Sequence, residues 1–216
     1  MVKIEKFSCG YGQTWVIEGM NATFARGAIT ALSGRSGMGK STLLKAINRL
    51  HEVEQNAFVR EGVIRVVLDS TEVDIQTLDP IYLRRKVGYI FQSPTPLPMS
   101  IEKNVSFSLE IQGIHAPDRI EQALRQAYLW EEVKDRLTQD PQSLSLGQQQ
   151  RLAIARALVL EPEILLFDEP TSALDSHATE QIEQLMLSLK KERTIILVTH
   201  DEGQIERVCD QIVKLS

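Results

Sequence analysis

Between an apolar run, Ala28-Ile29-Thr30-Ala31-Leu32-Ser33, and a helical pattern, Ser41-Thr42-Leu43-Leu44-Lys45-Ala46-Ile47-Asn48, the chain carries Gly34-Arg35-Ser36-Gly37-Met38-Gly39-Lys40-Ser41. Glycines followed by a lysine and a serine at this spacing dictate a strand, a tight loop and a helix in that order. Gly37 and Gly39 can take positive φ and bring the backbone close to a ligand. The loop N–H groups then face inward around a polyphosphate, and the positive end of the helix dipole points at the same place. Lys40 supplies a compact charge for the β- and γ-phosphates, and Ser41 a hydroxyl for Mg²⁺. The loop therefore assigns the ligand class, a nucleoside triphosphate held with magnesium, with Thr42 opening the helix behind it.

The 216 residues suffice for one compact unit with a substantial core, and the net charge of −5 disfavours bulk binding to nucleic acid or anionic lipid. The two cysteines, Cys9 and Cys209, form no CxxC pair and read as reduced, incidental thiols. The first residues lack a signal-peptide core, and no apolar run is long enough to span a bilayer.

Strands are expected over 2–7, 15–24 and 62–68, where β-branched and aromatic residues lie between turn signals. Shorter apolar strands follow at 87–91, 164–167 and 194–198, with helices over 148–160 and 176–190. Three prolines, Pro94, Pro96 and Pro98, break the chain after Gln92, and residues 101–137 read as helical without a strand. Helix-flanked, continuously apolar strands predict an α/β fold with a mostly parallel sheet and an inserted helical lobe.

The strand at 164–167 ends in Asp168 and Glu169, at the sheet edge where open α/β folds bind ligands. Asp168 suits the Mg²⁺ shell, and Glu169 suits a general base for the attacking water. Leu144-Ser145-Leu146-Gly147-Gln148-Gln149-Gln150-Arg151 places Ser145 and the Gly147 N–H at a helix start, an anion site with no evident role beside its own loop.

With this last motif the chain resembles the ATP-binding-cassette (ABC) family, whose signature is LSGGQ. In that family Ser145, Gly147 and Gln148 would cap the γ-phosphate of ATP held by the opposite protomer. Leu146 stands where glycine is commonest; the serine and second glycine are kept, so a working cap is expected. The resemblance extends to Gln92, at the position of the glutamine that touches Mg²⁺ and the attacking water. It also covers Ser172-Ala173-Leu174-Asp175, like the loop that runs along the dimer interface, and His200, like the histidine that contacts the γ-phosphate. Tyr11, between Gly10 and Gly12, resembles the aromatic that stacks on adenine. Phe7 is assigned to the core, and His51, His115 and His177 to satisfied structural roles.

The resemblance implies a P-loop core with an N-terminal antiparallel β subdomain. Its catalytic part would comprise residues 1–92 and 152–216, and its helical signature part residues 93–151. It implies an ATPase in which Glu169, His200, Gln92 and Lys40 act catalytically. ATP would lie against Tyr11, Gly34, Arg35, Ser36, Gly37, Met38, Gly39, Lys40, Ser41 and Thr42, and Mg²⁺ against Ser41, Gln92 and Asp168. It further implies a homodimer in the ATP-bound state, integral-membrane partners and an indirect extracytoplasmic solute-binding protein. The chain would then lie peripherally on the cytoplasmic face of the inner membrane.

The segments 87–101, 46–50 and 148–152 are most similar to the ATPase subunits of phosphate importers. The chain departs from them at Leu146, at Asp69-Ser70 where Asp-Gly is usual, and at Ser216, beyond which such subunits usually continue. Import of phosphate or a related solute is the expectation. The alternative is a soluble ABC ATPase of the DNA-repair or translation type. The former carries a long coiled coil and the latter usually two cassettes, and neither occurs in this sequence.

Overall fold

The computed structural model describes residues 1–215. Two sheets account for all its strands. β1 (Val2–Tyr11), β2 (Thr14–Phe24), β4 (Ala57–Leu68) and β5 (Thr71–Asp74) form an antiparallel sheet in the order β2-β1-β4-β5. β3 (Ile29–Ser33), β6 (Val87–Ile90), β7 (Ile164–Asp168), β8 (Thr194–Val198) and β9 (Gln211–Lys214) form a wholly parallel sheet in the order β6-β7-β8-β3-β9. The helices are α1 (Lys40–Ile47), α2 (Pro80–Lys86), α3 (Ile101–Glu110), α4 (Asp118–Gln126), α5 (Trp130–Val133), α6 (Leu146–Leu158), α7 (Ser176–Leu189) and α8 (Glu202–Val208). The expected P-loop α/β fold is thus the observed one.

β1 outruns its expected end at Phe7 because residues 8–11 pair with β2 on one side and β4 on the other. That pairing outweighs the poor strand propensity of Ser8 and Gly10. The helical stretch 101–137 is three helices, α3 to α5, separated by turns.

Every residue of β7 and β8 is buried, as expected of a parallel sheet covered on both faces. Their side chains alternate between two cores. Leu165, Phe167, Ile195 and Leu197 join Val105, Leu124, Leu152 and Leu185 of the helices. Ile164, Leu166, Ile196 and Val198 join Phe7, Ile17, Leu43 and Leu83 on the opposite face. Phe7, 3% exposed, is a core residue as expected.

The histidines differ from expectation. His51 is buried, but neither ring nitrogen has a hydrogen-bond partner. His115 and His177 are exposed. Cys9 and Cys209 are both free, with thiols pushed up to about 11, mainly by burial. Because all five central strands are parallel, the segments that follow β3, β6, β7 and β8 emerge at one edge of the sheet. Those segments carry the phosphate loop, Gln92, Glu169 and His200.

Candidate nucleotide site

The loop after β3 has the backbone its glycines permit: Gly37 has φ 79° and Gly39 φ 90°. Gly39 is also pressed on β2, where a Cβ would lie 2.5 Å from Val16 Cγ1. The Lys40 ammonium donates to the carbonyls of Gly34 (2.9 Å) and Arg35 (3.0 Å), which holds it over the loop. An ammonium has three donors, so one more remains for an anion. Met38 Sδ accepts from the Arg35 N–H, bracing the turn from inside.

Asp168, 8% exposed at the end of β7, has both oxygens engaged. The Ser41 hydroxyl donates to Oδ1 at 2.9 Å and the Tyr89 hydroxyl to Oδ2 at 2.7 Å. Burial and the adjacent Asp168 charge push the Tyr89 hydroxyl well above its ordinary value, so it stays a donor. Glu169 follows with φ 48°, a left-handed conformation rare for glutamate, and its N–H donates to Val198 O at 2.9 Å. Strain of this kind concentrates at functional sites. It directs the carboxylate so that Oε1 lies 2.7 Å from His200 Nε2 while Oε2 accepts from Gln92 Nε2 at 3.2 Å. Gln92 Nε2 also donates to the Ser172 hydroxyl, so its amide oxygen is left for another partner.

Val16, Ser36, Gly37, Gly39, Lys40, Ser41, Thr42, Glu169 and His200 line one cleft of about 360 Å³. Gly34, Arg35 and Met38 belong to the same loop. Tyr11 sits at the end of β1, where its hydroxyl donates to Glu54 and is pushed up to about 12, chiefly by burial. It does not line the cleft; Val16, which sequence reasoning passed over as an ordinary strand residue, does. Tyr89 was missed for the same reason, since within Val87-Gly88-Tyr89-Ile90 it reads only as strand.

Ser145, Gly147 and Gln148 lie at the start of α6 and do not line this cleft. The Ser145 hydroxyl accepts from the Gln148 N–H at 3.3 Å and the Gln148 side chain accepts from the Ser145 N–H at 2.9 Å, a reciprocal cap. Leu146 projects from the first turn, 43% exposed. Glu132 of α5 fastens this end of the helix, accepting from Gln148 and from Arg151, which is 4% exposed. Gln150, fully buried, donates to Phe91 O at 3.0 Å and so ties α6 to the segment entering Gln92.

A family profile described as "ABC transporter" matches residues 17–172, running from the cleft-lining β2 through the phosphate loop, the α6 cap and Glu169. This chain belongs to the ABC transporter family. A "Phosphate import ATP-binding protein PstB" of Alcaligenes faecalis is 44% identical over 214 residues, covering 97% of this chain and 73% of the relative. A protein of the same description from Salinibacter ruber (strain DSM 13855 / M31) is 43% identical over 212 residues, covering 97% of this chain and 84% of the relative. Among solved structures, a bacterial Atm1-family ABC exporter with ATP bound superposes with a TM-score of 0.82 at 27% identity. All of this chain is covered, but it spans only 36% of the exporter chain. Among the described residues no helix is long and apolar enough to cross a membrane.

Proposed function

We propose that this chain is the ATP-hydrolysing subunit of a membrane importer for phosphate or a chemically related solute. The observation that carries the reading is the joining of Ser41 to Asp168 and of Glu169 to both His200 and Gln92 at the mouth of one phosphate loop. The names of the two relatives support phosphate as the solute.

The donors at the loop suit magnesium: a serine hydroxyl, a carboxylate and an amide oxygen are hard oxygen ligands. Among the described residues no group of three His, Cys, Asp or Glu could hold a metal. That fits an ion held largely by phosphates and waters. Ser41, Asp168 and Gln92 would hold it. Bound there, Mg²⁺ would neutralise charge building on the β- and γ-phosphate oxygens.

Lys40 offers its remaining N–H to the phosphates, and the loop N–H groups cradle them. Glu169 orients the attacking water and takes its proton, with His200 and Gln92 keeping the carboxylate aimed at the cleft. Thr42 and Tyr11 contact the nucleotide, Tyr11 stacking on the adenine from beside the cleft.

The cleft is at the small end of ordinary ligand sites, which suits half of a shared site. Ser145, Gly147 and Gln148 would cap the nucleotide of a second copy in a two-fold symmetric dimer. ATP then links two chains, and its hydrolysis releases them. The segment between Gln92 and Ser100 would convey that motion to integral-membrane subunits, with the chain resting on the cytoplasmic face of the membrane. The longest described helix, α7, has 14 residues, far short of the coiled coil that divides the site in DNA-repair relatives.

Glu169→Gln tests the core of this reading. ATP binding should persist, turnover should fall by about 10²–10⁴-fold, and an ATP-dependent dimer should accumulate in light scattering. Undiminished hydrolysis would remove Glu169 as the base. The solute is tested by ATP-driven uptake of phosphate against other anions in vesicles that hold this subunit and its membrane partner.

A further inference from the structure

Tyr89 is on β6, registered against Leu166 of β7, two residues before Asp168. Its hydroxyl is the second of two donors to the Asp168 carboxylate. Ser41 takes Oδ1 at 2.9 Å and Tyr89 takes Oδ2 at 2.7 Å. Asp168 is 8% exposed, so water has little access to substitute for either donor. A carboxylate rotates easily about its last torsion, and donors on both oxygens fix its plane. The Tyr89 ring is itself held by Phe91, with centroids 4.5 Å apart.

We propose that Tyr89 is a positioning residue for the divalent cation that accompanies ATP. By occupying Asp168 Oδ2 it keeps Oδ1 turned toward the Ser41 hydroxyl, so that Oδ1 and the Ser41 oxygen would be presented to the ion together. Groups that hydrogen-bond a metal-side carboxylate commonly set metal affinity without touching the metal. The inference rests on the magnesium–ATP reading of the site and extends it to a residue that contacts neither ATP nor metal.

Tyr89→Phe removes the hydroxyl and keeps the ring against Phe91. The probe is Mn²⁺, with binding to the protein loaded with a non-hydrolysable ATP analogue followed by electron paramagnetic resonance. The expected result is Mn²⁺ affinity about 10-fold weaker than wild type, with half-maximal ATPase activation shifted to higher Mg²⁺. Binding of a fluorescent ATP analogue in EDTA and the melting temperature should stay at wild-type values. A merely structural role would instead lower metal-free nucleotide binding and melting temperature together, and that outcome overturns the proposal. Wild-type Mn²⁺ affinity in Tyr89→Phe overturns the positioning role alone. A wild-type protein that binds no Mn²⁺ with nucleotide overturns the reading of the site, and this inference with it.

Discussion

Gly147 gives the sharpest quantitative prediction. Its φ is not in the left-handed region, so alanine is tolerated by the backbone; what forbids a side chain is the neighbouring helix. A Cβ on Gly147 would lie 2.7 Å from Ala178 Cβ on α7. Carbon atoms in contact sit about 3.5–4.0 Å apart, which leaves the pair about 1 Å too close. Both atoms are fixed to helix backbone, so no rotamer relieves the clash. Overpacking of this kind costs about 1–3 kcal/mol, against which alanine returns up to about 1 kcal/mol of helix propensity. Gly147→Ala should therefore destabilise the fold by at most about 2 kcal/mol in urea unfolding. The first turn of α6 should yield by about 1 Å, carrying Ser145 with it, and misplacement on that scale can lower turnover about 100-fold. Ala178→Gly removes the opposing methyl group and alone costs about 1 kcal/mol of helix propensity. Combined, the two substitutions should recover most of the lost turnover and show a coupling energy of about 1–3 kcal/mol. If Gly147→Ala hydrolyses ATP at the wild-type rate, or Ala178→Gly fails to rescue it, steric contact is not what requires glycine here.

Two further predictions concern stability. Asp69 and Ser70 join β4 to β5 with φ 47° and 66°, the geometry in which Asp-Gly is favoured. Ser70→Gly should raise stability by about 0.5–1 kcal/mol, or about 1–4 °C in melting temperature; an unchanged or lower midpoint would contradict the strain. His51 is held below its ordinary pKa mainly by burial. Its neutral form is the one that folds, so its contribution is fully present above about pH 6.5, the unfolded value, and lost as pH falls below it. Replacing His51 with leucine should flatten the fall in urea midpoint between pH 7 and 5, whereas an identical slope would assign the acid sensitivity elsewhere.

The candidate nucleotide site is legible in the sequence because its parts are local signals at the ends of apolar strands. Gly34 to Ser41 follows β3, and Asp168-Glu169 ends β7. Residues whose role depends on pairing across the sheet were not legible. Tyr89 shows the pattern of a strand residue, and only the β6–β7 register reveals its hydroxyl at Asp168. β5, α2, α8 and β9 are short, and β9 is held by β3 at the sheet edge rather than by a strong apolar run of its own. Asp69-Ser70 departs from Asp-Gly, yet the chain still makes the turn, because β4–β5 pairing imposes it.

The alternation along β7 and β8 also governs how the molecule comes apart. Each of these strands is a wall common to both hydrophobic cores, so neither core can open while the other stays sealed. Denaturation should consequently proceed as one event. The slowest amide exchange should map to residues 164–168 and 194–198, and the Gln92 segment should exchange well before them. Glu169 directly follows β7, one of the two strands expected to exchange last, while Gln92, which donates to it, lies on a segment expected to exchange early. The proposed catalytic centre would thus be assembled at a boundary between stiff and yielding backbone.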